Sequence, residues 1–127
     1  MDVVNTNSLA LAYIGDAVYE VYVRKHLLEK GITKGDELQR HAIEYVSASG
    51  QAKALTKIED KLTAAEKETV RRARNHKTGP RQRHLDMKEY RLATGLEALI
   101  GSAYLAGETD RLEELMAEMI AALEEED

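Results

Sequence analysis

Ala12-Tyr13-Ile14-Gly15-Asp16-Ala17-Val18 is the stretch on which the reading of this chain turns. It sets a glycine and a carboxylate side by side within a run whose apolar residues recur at helical spacing. From residue 8 to residue 30, Leu11, Ile14, Val18, Val21 and Leu28 fall on one stripe. Asn7 or Ser8 is placed to cap the start of this helix and Gly31 to close its end. Gly and Asp are both poor helix-interior residues, and an Asp buried on such a helix needs a partner or a metal ion to offset its desolvation. Gly95-Leu96-Glu97-Ala98-Leu99-Ile100-Gly101 has the same character, with Glu97 between leucines and Gly101 one turn on. If the two helices cross, the small residues Ala12, Gly15, Ala93 and Gly101 permit close backbone approach. The two carboxylates then reach one hard cation such as Mg²⁺, which is commonly held by one or two carboxylates, waters and substrate phosphates. The other reading pairs each acid with an arginine, such as Arg91 or Arg24. Spacing alone leaves both open.

Working outward, helical periodicity continues to both sides. A second helix is predicted over 36–46 with Leu38, Ala42, Tyr45 and Val46 inward, a break over 47–50, and a third helix over 51–61 through Ala52, Leu55 and Ile58. Thr63-Ala64-Ala65-Glu66 has capping-box spacing, so a fourth helix begins there and runs to about residue 75. Residues 76–86 lack an apolar stripe and contain Gly79-Pro80, which reads as a loop. A fifth helix over 87–106 buries Leu92, Leu96, Leu99, Ile100 and Ala103. Gly107 ends it, and Thr109 caps a sixth that turns Leu112, Leu115, Met116, Met119, Ile120 and Leu123 inward. No segment alternates as a strand does. The prediction is an all-α chain forming a single domain over 1–127.

The chain has 127 residues, 43% hydrophobic and 32% charged, enough for one core without a disulfide or metal staple. It has no Cys, which excludes a disulfide scaffold, a thiolate zinc site and a Cys nucleophile, and suits a reducing cytoplasm. No apolar run is long enough to span a membrane, and residues 1–7 lack the regions of a signal peptide. The net charge of −5 hides an asymmetry. Residues 71–91 carry eight basic side chains against two acidic ones, a net of +6, which leaves −11 for the rest. One basic segment on an acidic body points to a localised polyanion contact. His26, His41, His76 and His84 include no pair at helical metal-ligand spacing, and the six tyrosines sit on helical stripes that favour core or interface packing over base stacking.

The residues around the two acids resemble a known family. Leu11 to Val18 is similar to the signature segment of ribonuclease III, and Leu96-Glu97-Ala98-Leu99-Ile100-Gly101 to that family's second catalytic helix. The short form, of the Mini-ribonuclease III type, has the nuclease domain without a double-stranded-RNA-binding domain, and this chain resembles it more closely. Leu9 to Ala17, Val46-Ser47-Ala48, Arg72-Ala73-Arg74-Asn75 and Tyr90-Arg91 follow its pattern in its order, and the resemblance runs over 9–123. Where full-length ribonuclease III has two further carboxylates near the metal, this chain has Ala12 and Thr94; another acid of the signature is Leu9 here. The short form shares those gaps.

The resemblance implies a helical homodimer that cleaves double-stranded RNA with Mg²⁺, or Mn²⁺ as a substitute, leaving 5′-phosphate and 3′-hydroxyl ends. It implies maturation of the 23S ribosomal RNA precursor in the bacterial cytoplasm, with a ribosomal protein as a further partner. Asp16 and Glu97 match catalytic, metal-binding carboxylates: Asp16 as principal ligand, Glu97 as second ligand or water orienter, and Thr94 as a ligand directly or through water. Arg72, Arg74, Asn75, Lys77, Arg81 and Arg83 are the expected RNA contacts, since A-form duplexes are read mainly by shape and phosphate position. Two other functions stay in view: a catalytically silent RNA-binding or ribosome-associated scaffold, and a plain helical interaction module. Metal-dependent RNA cutting would eliminate both.

Overall fold

The computed structural model describes residues 1–76 and 86–125, and among these six α-helices and one 3₁₀ turn account for the regular structure, with no strand. They are α1 (Ser8–Glu29), α2 (Gly35–Val46), α3 (Ala48–Ile58, followed by the 3₁₀ turn Glu59–Lys61), α4 (Ala64–Arg74), α5 (Met87–Leu105) and α6 (Thr109–Glu124). The all-α expectation holds. Of the expected loop over 76–86, only His76 and Asp86 fall within the described residues.

Helix α1 starts where the sequence provides a cap: the Asn7 carboxamide oxygen accepts from the Leu9 and Ala10 amides at 2.9 and 3.1 Å. It ends before Gly31, whose φ of 89° belongs to the left-handed region. Its inward face differs from the stripe read in the sequence. Leu11 and Val18 are buried and Ile14 is half-buried, but Val21 is 64% exposed and Leu28 53%. The core instead receives Tyr19, Val23 and Leu27. These continue the four-residue row Leu11, Gly15, Tyr19, Val23, Leu27, and α1 carries apolar residues on so many sides that spacing alone did not choose among them. The Tyr19 hydroxyl, deep in the core, donates to the Tyr45 carbonyl at 2.9 Å, which satisfies a polar atom that burial would otherwise penalise.

Helices α1 and α5 cross at two glycines. A Cβ on Gly15 would lie 1.7 Å from the Glu97 carbonyl oxygen, and one on Gly101 would lie 1.9 Å from that of Leu11. The two backbones therefore touch at the middle of the fold, with Ala12 and Ala93 buried nearby. Around this crossing α3 contributes Leu55 and Ile58, α5 contributes Leu96, Leu99 and Ile100, and α6 contributes Leu115, Met116 and Met119. A smaller cluster of Leu11, Ala12, Ala73 and Ala98 ties α4 to the same pair.

Three boundaries differ from the sequence reading. The break over 47–50 contracts to Ser47, which closes α2 and caps α3 by accepting from the Gly50 amide at 3.1 Å. Gly50 lies inside α3 because a Cβ there would meet the Glu44 carbonyl oxygen at 2.2 Å; its glycine serves close approach rather than a turn. The third helix ends at Ile58 and tightens into the 3₁₀ turn. Thr109 is the first residue of α6 rather than its cap; Glu108 occupies the cap without a side-chain bond. The capping box at Thr63 and Glu66 is formed as read, with bonds of 2.8 and 3.1 Å. Glu66 also receives Arg111 from α6 at 2.8 and 2.9 Å. At the far end of α6, Glu124 takes hydrogen bonds from Tyr45 (2.7 Å) and Lys30 (3.0 Å) and lies 2.7 Å from His26 Nε2.

Candidate active site

The glycine crossing is what assembles the site. Because Gly15 rests on the backbone of Glu97, the next residue along α1, Asp16, is delivered to the Glu97 side chain. The two carboxyls interact directly. Burial first, then the contact with Asp16, pushes its carboxyl up to about 8. Glu20, one turn beyond Asp16 on α1, adds a weaker push in the same direction, and the Gln51 amide from α3 opposes it. The expectation of a buried Asp16 is corrected: Asp16 lies at the surface and Glu97 is the recessed member.

The arginine-pairing alternative is not what Arg24 does, since it pairs with Glu20 at 3.7 Å. Thr94, one turn before Glu97, is 7% exposed, and its hydroxyl donates to the Tyr90 carbonyl at 3.0 Å, so only its oxygen lone pairs remain for another partner. Among the described residues no group of three or more His, Cys, Asp or Glu is placed to hold a metal ion. Two hard oxygen donors crowded together suit a divalent cation that draws its other ligands from water and phosphate, the usual habit of Mg²⁺.

Of the expected RNA contacts, Arg72, Arg74 and Asn75 lie at the end of α4, while Lys77, Arg81 and Arg83 lie outside the described residues. Arg72 is exposed and donates to the Val4 carbonyl at 3.1 Å. Arg74 is half-buried, its stem beside Gly95, two residues before Glu97. Asn75 closes α4. The end of α4 thus flanks the helix that carries Glu97. The tyrosines divide: Tyr19 and Tyr45 are core residues, while Tyr13 is 85% exposed and Tyr104 51%.

Glu20 and Gln51 were missed in the sequence. Glu20 was legible, since it follows Asp16 by four residues and so shares its face of α1. Gln51 was not; nothing local marks it, and only the docking of α3 on α5 brings it to Glu97.

The bundle crosses two helices on glycines and seats one acid from each at the crossing, and residues 9–108 match the Ribonuclease III domain family. The chain belongs to the ribonuclease III family and is an endoribonuclease. It is 46% identical to Mini-ribonuclease 3 of Symbiobacterium thermophilum over 85% of this chain and 83% of the relative. Mini-ribonuclease 3 of Streptococcus pneumoniae is 40% identical over 98% of both chains. A crystal structure of a Fusobacterium nucleatum protein superposes with a TM-score of 0.81 at 32% identity, covering 92% of this chain and 93% of that one.

Proposed function

We propose that this chain hydrolyses phosphodiesters of double-stranded RNA at the Asp16–Glu97 pair with Mg²⁺, leaving 5′-phosphate and 3′-hydroxyl ends. The observation that carries the reading is the meeting of these two carboxyls at the glycine crossing, with Glu97 raised to about 8 by burial and by Asp16. Asp16 and Glu97 would hold the cation, which supplies water activation and neutralises phosphoryl charge. Asp16, at the surface, presents its carboxylate to the substrate side. Glu97, recessed, keeps its carboxylate oriented toward Asp16 and away from bulk water. Thr94 contributes through its oxygen, directly or through a water. No His, Ser or Lys is needed as a nucleophile.

Arg72, Arg74 and Asn75, with Lys77, Arg81 and Arg83, are assigned to RNA phosphates and 2′-hydroxyls. The substrate that the resemblance of the sequence motifs implies is the 23S ribosomal RNA precursor in the bacterial cytoplasm, with a ribosomal protein as a candidate further partner. Among the described residues no helix is long and apolar enough to cross a membrane. The working form is a homodimer with α1 at its interface: Tyr13, Val21 and Leu9 on α1 and Tyr104 on α5 leave an exposed apolar surface that a second copy covers. A sedimentation experiment at micromolar protein that gives only a 14.2 kDa species rejects the dimer. The test of the activity is a long RNA duplex incubated with the purified protein, with Mg²⁺ or with chelator. Cutting with Mg²⁺ alone is expected, and cutting in chelator rejects the metal reading.

A further inference from the structure

Gln51 is a polar residue in an apolar place. It is 2% exposed and shares α3 with buried Ala52, Ala54, Leu55 and Ile58. Its Nε2 donates to the Val46 carbonyl at 3.2 Å, while its Oε1, also buried, has no hydrogen-bond partner among the described residues. A buried acceptor left unmade destabilises a fold, and a Leu or Met of similar size would fill the same space without that loss. What a hydrocarbon cannot supply is an N–H donor, and the polar group facing this amide across the helix interface is the Glu97 carboxyl.

We propose that Gln51 is a positioning residue: its amide, anchored to the Val46 carbonyl, holds the Glu97 carboxylate in the orientation in which it meets Asp16. The anchor is firm because Val46 ends α2 and Ser47 joins it directly to α3, a corner closed by the Gly50 amide on Ser47 and by Gly50 against Glu44. The donor's neutrality matters as much as its place. A Lys or Arg here would cancel the charge of the acid pair and compete with a cation, whereas an amide orients a carboxylate and leaves its charge available. Partners of this kind, one step behind a metal-binding group, commonly change metal affinity or activity by about 10–100-fold when removed.

This inference rests on the metal reading of Asp16 and Glu97, and the experiment separates the two. Gln51→Met and Gln51→Leu are compared with the natural chain in three measurements: thermal unfolding in chelator, Mn²⁺ binding by calorimetry without RNA, and kcat and KM on one RNA duplex. The expected result is an unfolding midpoint equal to or above that of the natural chain, with Mn²⁺ binding weakened about tenfold or more. The rate at saturating RNA falls by a similar factor, and KM for RNA stays unchanged. Mn²⁺ affinity and kcat within twofold of the natural chain in either folded variant overturn the proposal. Loss of activity that comes with a lowered midpoint in both, or failure of both to fold, also overturns it, since Gln51 is then a packing residue. Cutting by the natural chain in chelator, or normal turnover by Asp16→Asn, overturns the metal reading itself.

Discussion

Asp16 and Glu97 meet at the helix crossing, and burial together with the neighbouring Asp16 holds the Glu97 carboxyl well above its ordinary value. Asp16→Asn and Glu97→Gln keep the shape and remove one charge, so each is expected to reduce cleavage at saturating Mg²⁺ by a factor of about 100 or more while RNA binding persists. Each also relieves like-charge crowding, so the unfolding midpoint in chelator rises. A calorimetric scan of the two variants beside the natural chain checks the second half and the duplex assay the first, and near-normal turnover by either removes its assigned role. The acids themselves were legible, because Gly15-Asp16 and Glu97 with Gly101 are locally unfavourable in helices and stand out against apolar neighbours. Which of the two is recessed was not, because exposure depends on how α1 rotates when it docks, and α1 is apolar on several sides.

Helix boundaries followed their local chemistry. Asn7, the Thr63–Glu66 box and Gly31 were readable because a cap is a property of three or four consecutive residues, whereas Gly50 misled because a glycine needed for contact looks the same in sequence as one needed for a turn. The α1–α5 crossing is an element-scale contact with no slack. Gly15→Ala puts a methyl into the Glu97 carbonyl and is expected to cost about 3 kcal/mol of stability, at the upper end of overpacking effects, with cleavage lost in parallel. Chemical denaturation reads the first and the duplex assay the second. A variant with unchanged stability shows that the helices are free to separate at this point.

Across the whole molecule, the two ends of α6 are fastened differently. Arg111 holds its start to Glu66. At its finish burial alone would raise the Glu124 carboxyl, but the hydrogen bonds from Tyr45, His26 and Lys30 outweigh that and hold it down at about 2. A carboxylate with a lowered folded pKa stabilises the fold above its ordinary pKa, and that contribution fades as pH falls from about 4.5 toward 2. Glu124→Gln is therefore expected to lower the unfolding midpoint at pH 6 and to flatten its decline between pH 4.5 and 2. Parallel curves for the two chains sink this. At the same scale, the proposed RNA contacts on the basic segment 71–91 are expected to govern approach of a polyanion to an otherwise acidic chain. Replacing Arg72, Arg74, Lys77 and Arg81 with Gln should flatten the dependence of log affinity on log salt by roughly 0.7–0.9 for each phosphate that is no longer neutralised. Turnover at saturating RNA should fall much less than affinity, as expected of uniform binding. An unchanged slope places the duplex on another face.

The contact of Gly15 with the Glu97 backbone has a kinetic meaning as well. Neither acid sits on a loop that can swing into place, and each belongs to the middle of a long helix whose opposite number is within touching distance. The proposed catalytic pair therefore comes into existence in a single docking event and disappears with it. Any form in which α1 has lifted from α5 lacks the pair, so the last amides to exchange their hydrogens at this crossing mark the lifetime of the assembled site.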